Sequence, residues 1–274
     1  MDTDPSFRIS RLLIVVTWLE VVILTWAGLG LLLYPPVIAS FWPWPLAPFN
    51  LRYLGALYSA ALIAAFLQAY AGGWSPARVV TPMIFIFTLV VSIFSVVHFD
   101  RFDAGRIETW IWFILYFGVC LNAGAHLWFY RHRPVPVPAL QLGQVTWQLL
   151  RGIFFILGVY GLLLLLMPTT ASWFWPWKLD AFHGQLYSVT FLTPALGAWV
   201  LGRGATPLDL RTLGWTLGAW GALPILGLVL VDLSTHRVDW AALATWLWLV
   251  LFAAMAIAGA ALLVEARKLA SLAH

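Results

Sequence analysis

Eight long stretches of this chain are apolar on every side, at residues 12–33, 53–71, 79–97, 109–129, 145–167, 184–201, 213–231 and 241–264. A hydrocarbon layer about 30 Å thick is crossed by roughly 20 apolar helical residues. A soluble helix of that length would carry a charged face opposite its apolar stripe, and these windows carry none. Membrane barrels are built from shorter strands that alternate in polarity. The expected fold class is therefore an all-α integral membrane protein with eight transmembrane helices. Turn residues separate the windows, among them Tyr34-Pro35-Pro36, Gly72-Gly73-Trp74-Ser75-Pro76 and Gly202-Arg203-Gly204.

Composition removes most other classes. Charged residues make up 9% of the 274, against about 25% in ordinary soluble domains. A disordered chain, a disulfide scaffold and an ordinary soluble enzyme are excluded. The net charge of +4 rests on 15 Lys+Arg against 11 Asp+Glu, too thin for a nucleic-acid surface. The single cysteine, Cys120, permits no intramolecular disulfide. Arg8 and Arg11 precede a first apolar run that is longer than a signal h-region and has no small-x-small cleavage site, so it reads as a retained span.

Basic residues orient the chain. With the N-terminus inside, the inner segments hold Arg8, Arg11, Arg78, Arg131, Arg133, Arg203, Arg211, Arg267 and Lys268. The outer segments hold Arg52, Arg101, Arg106, Lys178 and Arg237. Both termini are expected on the cytoplasmic side of a bacterial inner membrane. Trp42, Trp44, Trp74, Trp110, Trp173, Trp175 and Trp177 fall near span ends, where an indole favours the lipid–water interface.

An internal repeat divides the chain. Phe41-Trp42-Pro43-Trp44 returns 133 residues later as Phe174-Trp175-Pro176-Trp177. The same offset pairs Gly28 with Gly161, Pro35 with Pro168, Leu46 with Leu179, Phe49 with Phe182 and Arg78 with Arg211. Toward the end of each half the offset becomes 136, pairing Asp103 with Asp239, Thr109-Trp110 with Thr245-Trp246 and Trp112 with Trp248. The expected domains are a first four-helix unit at 1–133, a Pro-rich connector at 134–144 and a second unit at 145–274. Four spans per unit is an even number, so the copies enter the membrane the same way, as parallel repeats. Alternating prolines favour an extended connector.

The first span runs from Gly28 to Pro35 at its end, and Leu51-Arg52-Tyr53-Leu54-Gly55-Ala56-Leu57-Tyr58 follows the next loop. In these residues the unit resembles small bacterial four-helix membrane proteins of the DoxX-like kind. The resemblance covers the first two spans of the first half and implies a four-helix unit. The second half departs from it, with Gln185 and Ser188 where Arg52 and Gly55 stand.

Few polar residues lie inside the spans. Glu20 is a carboxylate in the first span and by default a site hypothesis, although its repeat counterpart is Ile153. Gln68, Asn122, His126 and Arg151 fall in the same inner half, so the five are candidates for one ligand-binding cluster, or for an interhelical pair of which Glu20 with Arg151 is the obvious one. The plainer alternatives are an Arg151 that snorkels inward and a protonated structural Glu20. An outer-face cleft is a second candidate, formed by Trp42, Trp44, Trp175 and Trp177 with His98, Asp100, His183 and His236. The spacing of these His and Asp residues matches no established metal motif, so no metal is expected. His126 is the only clearly embedded histidine, which argues against a bis-His haem and leaves a single pigment contact open. Pro82, Pro194 and Pro224 are expected to kink their spans or start them late.

Nucleotide-binding, hydrolase and metalloprotease motifs are absent from the sequence. The expected function is non-catalytic: an accessory or scaffold subunit of a membrane complex, or a binder of a lipid, quinone or isoprenoid. A membrane enzyme or carrier working through the inner-half cluster is the alternative. The partners implied are membrane lipids and other membrane subunits, and the only expected cofactor is a bound lipid or quinone.

Overall fold

A computed structural model describes residues 8–134 and 142–272. Residues 135–141 of the Pro-rich connector lie outside the described residues. The helices are α1 (Arg11–Leu33), α2 (Pro35–Ala39), α3 (Pro48–Ala71), α4 (Trp74–Val97), α5 (Ile107–Tyr130), α6 (Gln144–Leu166), α7 (Pro168–Ala171), α8 (Ala181–Tyr187), α9 (Val189–Leu201), α10 (Pro207–Thr235) and α11 (Leu243–Leu272). Seven of them, α1, α3, α4, α5, α6, α10 and α11, are long and apolar enough to cross a membrane. The eighth expected span is divided at Ser188 into α8 and α9, each too short to qualify alone. Ser188 keeps helical angles (φ −54, ψ −29), and its carbonyl accepts from the amides of both Phe191 and Leu192. Pro194 removes one amide from the same ladder.

Local chemistry sets the helix ends. Ser10 caps α1, its hydroxyl accepting from the Leu13 amide. Asp180 caps α8 through the His183 amide. Thr206 and Asp209 form a reciprocal capping box on α10, with Pro207 in the first turn. Gly72 closes α3 at φ +57, a conformation that costs glycine little. Tyr34 and Met167 end α1 and α6 with nearly the same angles, φ −129, ψ 52 and φ −133, ψ 57, each just before a proline. The helices differ inside: α1 contains a π turn over Thr25–Leu29, whereas α6 is regular throughout.

Packing sorts the helices into a centre and a rim. The most apolar windows of α3 and α4 are 61% and 56% buried, against 28% for α1, 22% for α5 and 28% each for α6 and α11. The rim helices turn large apolar side chains outward, including Leu19, Val22, Ile114 and Leu121. Along the chain α1 packs on α3, α4 on α5, α6 on α9, and α10 on α11. Across the halves α3 packs on α10 and α4 on α9, far more extensively than α3 meets α4. Each half therefore completes its core with helices from the other.

Close approach at small residues makes these crossings tight. A Cβ on Gly55 would stand 2.3 Å from the Leu32 backbone nitrogen, and one on Gly221 would stand 2.2 Å from that of Ala256. The Phe-Trp-Pro-Trp segments lie together at one end of the bundle, where Phe49 and Trp177 stack at 5.2 Å. Ser10, His126 and Tyr130 cluster at the opposite end.

Candidate functional site

The two ends of the bundle are held by different chemistry. At the end where α1 begins, Arg78 of α4 meets Asp209 of α10: the Arg78 Nε donates to Asp209 Oδ2 at 2.9 Å and its Nη2 at 2.6 Å. Asp209 Oδ1 also accepts from Ser75 Oγ at 2.9 Å, and Oδ2 from the Thr206 amide at 2.9 Å. Both partners are buried, at 7% and 0% exposure. This is a bolt between the halves, with every carboxylate oxygen occupied. Sequence reading paired Arg78 with Arg211, which is exposed, and passed over Asp209. The Thr206-Pro207-x-Asp209 capping pattern is the signal that marks it.

At the opposite end, Trp44 donates from Nε1 to His183 Nε2 at 3.2 Å, and Trp177 donates from Nε1 to Asn50 Oδ1 at 3.0 Å. Positions 44 and 177, and 50 and 183, are each 133 apart, so the two bonds are reciprocal across the halves. A Trp N–H can only donate, so His183 Nε2 is the acceptor and its Nδ1–H donates to Asp180 Oδ1 at 2.8 Å. The His183 bond, reinforced by the nearby Arg101, holds the Asp180 carboxyl down at about 2. His98 Nε2 donates to Gln185 Oε1 at 2.7 Å. Asp100 and His236 are exposed, and His236 closes α10 in the left-handed region at φ 50.

These positions revise the expected outer cleft. Trp42, Trp44 and Trp175 are buried and Trp177 is half-buried. They form an aromatic core with Trp112 and Trp248. The interfacial reading fits Trp110 and Trp173, which are exposed, but not Trp42, Trp44, Trp74 or Trp175. Internal acceptors explain most of the difference: Trp74 donates to the Pro134 carbonyl and Trp175 to the Tyr160 hydroxyl. An indole whose N–H is satisfied inside has no need of interfacial water.

The five inner-half candidates do not converge on one cavity. Gln68 donates from Nε2 to Thr17 Oγ1 at 2.9 Å and accepts from Thr81 Oγ1 at 3.2 Å, tying α1, α3 and α4 together. His126 Nδ1 donates to the Asn122 carbonyl at 2.8 Å, and its Nε2 lies 2.6 Å from Ser10 Oγ, so both ring nitrogens are engaged. Asn122 is half-buried, on the turn before His126. Arg151 is exposed and stacks over the Trp147 ring at 4.4 Å, so the expected Glu20–Arg151 pair does not form. Glu20 alone of the five borders a cavity, and its carboxyl meets no partner among the described residues.

That cavity has a volume of about 380 Å³ and lies in the first half, between α1, α3, α4 and α5. At the start of α1, its cap Ser10 bonds Tyr130 and His126 of α5. Farther along, both helices line the cavity, and their lining residues Trp26 and Ile111 are exposed, so the space reaches the outside between them. The walls are apolar, from Ile23, Ala27, Ala61, Ala65, Met83, Phe87 and Leu115, and the Trp42 ring forms part of the outer end. Tyr58 and Tyr116 face it with their hydroxyls joined at 2.7 Å. Three buried polar atoms on lining residues have no hydrogen-bond partner: Trp42 Nε1, Thr193 Oγ1 and Trp220 Nε1. Groups of this kind are normally satisfied, by protein, water or ligand. The π turn of α1 lies along the same wall, a distortion often found at functional sites.

Among the described residues no group of three His, Cys, Asp or Glu side chains is placed to hold a metal ion. No family model matches the chain, and no curated protein or solved structure is similar to it.

Proposed function

We propose that the chain is an integral membrane protein that holds one lipophilic molecule in the lateral cavity of its first half, without catalysing a reaction on it. The cavity carries this reading: its volume falls in the range of small-molecule sites, its walls are apolar with a few polar points, and it opens toward the lipid-facing side. Glu20 borders it, an acid within a span whose carboxyl meets no partner among the described residues. A catalytic alternative required Asn122, His126 and Arg151 in the same space; none of the three lines it, and His126 and Arg151 are engaged by Ser10 and Trp147.

The reading includes eight crossings, with α8 and α9 acting together as one of them. It also includes two tandem copies of a four-helix unit, lying parallel with both termini on the cytoplasmic face of a bacterial inner membrane. Matched local geometry supports the duplication. Thr109 and Thr245 each donate to the carbonyl six residues back, at 2.7 Å in both cases. Trp110 and Trp246 do likewise at 3.0 and 2.9 Å. The ring pairs Trp112–Tyr116 and Trp248–Phe252 are both 4.3 Å apart, tilted by 41° and 42°. The likeness of the first two spans to DoxX-like units belongs to the same reading.

The test is extraction of the protein from its native membrane into lipid nanodiscs, followed by native mass spectrometry. A bound lipophile near one per chain is expected, and Ala61→Trp, which fills the cavity, is expected to release it. No bound molecule, or the same molecule retained by Ala61→Trp, would overturn the proposal.

A further inference from the structure

The second half shows what the first half's cavity is built to take. At the position 133 residues beyond Ala27, the second half carries Tyr160. The Tyr160 ring packs at 5.4 Å from Phe174 and 4.6 Å from Phe191, and its hydroxyl accepts from Trp175 Nε1 at 2.8 Å while donating to the Ala171 carbonyl at 3.2 Å. The first-half counterparts of Phe174, Trp175 and Phe191 are Phe41, Trp42 and Tyr58, at the same offset. All three border the cavity, as does Ala27. Where Trp175 has the Tyr160 oxygen, Trp42 Nε1 is buried and has no acceptor. The residues that grip a phenol ring in one half therefore surround a void in the other.

Resting on the proposal that this cavity holds a lipophile, we infer that the ligand presents a six-membered ring bearing a hydrogen-bond-accepting oxygen, seated between Phe41, Trp42 and Tyr58 with that oxygen on Trp42 Nε1. A phenol and a benzoquinone share this chemistry. An acyl chain does not: it fills the volume but leaves the indole N–H unsatisfied, and a buried donor without an acceptor is costly. The ring also gains edge and face contacts from the three aromatic walls. Tyr160 serves as the built-in stand-in for the ligand, and the second site is closed because its occupant is part of the chain.

The experiment compares three probes of equal tail length on the full chain in nanodiscs: 4-decylphenol, 2-decyl-1,4-benzoquinone and decylbenzene. The oxygenated probes are expected to bind about tenfold more tightly than decylbenzene, the scale of one hydrogen bond to an otherwise unpaired donor. Tighter binding of the phenol assigns an oxygen that also donates, as Tyr160 does, and tighter binding of the quinone assigns a carbonyl. Ala27→Tyr is expected to abolish binding of both. Tyr160→Ala is expected to open a second site and raise the stoichiometry from one to two, which decides the matter if Ala27→Tyr does not fold. Equal affinity for decylbenzene, binding retained in a folded Ala27→Tyr, or no second site in Tyr160→Ala would overturn the ring inference while leaving a lipophile site standing. Failure of all three probes to bind, together with no lipophile on the native protein, would remove both.

Discussion

Replacing Arg78 by methionine should be the most damaging single change at the end of the bundle where α1 begins. The substitution keeps much of the aliphatic stem and removes only the guanidinium. Asp209 would then keep its bonds from Ser75 and the Thr206 amide, at 2.9 Å each, but lose both Arg78 bonds and the only countercharge within reach. With Asp209 wholly buried, the stranded carboxylate should cost about 3–5 kcal/mol, whereas an exposed pair would cost under about 1. Arg78→Met combined with Asp209→Leu removes the charge as well as its partner, and should recover much of the loss. It also removes one arm of the α10 capping box, the Thr206 amide bond to Asp209, which keeps the recovery incomplete by about 1 kcal/mol. Denaturant titration in mixed micelles, followed by tryptophan fluorescence, measures all of these differences. If Arg78→Met unfolds within about 1 kcal/mol of the parent, or the double variant is no better than the single, the pair is not the bolt described here.

Tyr160→Phe should destabilise the protein by about 1–3 kcal/mol in the same titration, because it leaves Trp175 Nε1 buried without its acceptor. Gly221→Ala should destabilise by at least about 1–3 kcal/mol, because the new Cβ meets the Ala256 backbone nitrogen at 2.2 Å and forces α10 and α11 apart. The Asp180 carboxyl sits below its unfolded value of 3.8, at about 2. Its contribution is therefore fully present above about pH 4 and lost as the pH falls toward 2. Asp180→Asn should flatten the stability profile across that window. The step itself should be small, since Asp180 is 40% exposed and its ion pair is screened by solvent.

Much of the bundle is legible in the sequence because lipid demands long apolar runs and punishes ambiguity. Seven of the eight windows correspond to helices, usually longer by a few residues at the polar ends, where Pro48, Trp74 and Pro207 begin a turn before the apolar run. The window at 184–201 behaves differently because hydropathy is blind to the turn at Ser188, whose carbonyl is shared between the Phe191 and Leu192 amides, and to the amide that Pro194 removes. The site is less legible. Depth in the membrane grouped Gln68, His126 and Arg151 with Glu20, but depth says nothing about rotation about a helix axis. Threonines, a serine and an indole claim those three side chains, while Glu20 turns toward the gap between α1 and α5. The Trp-Pro-Trp motif and His183 stand out in the sequence, yet their role depends on pairings 127 and 139 positions apart, one of them with Asn50, which carries no signal of its own. The Ala27–Tyr160 difference lay in the repeat alignment all along and acquires meaning only once the void is seen.

The exchange of helices between halves bears on how the chain must be made. When the ribosome has delivered α1 to α5, the broad faces of α3 and α4 that will rest on α10 and α9 are still bare. Those faces must be shielded by lipid or by the insertion machinery for the time it takes to translate as far as Thr235. The face of α4 can be covered once α9 is complete at Leu201, but that of α3 waits for α10, so truncation before the tenth helix should leave a product with that face bare.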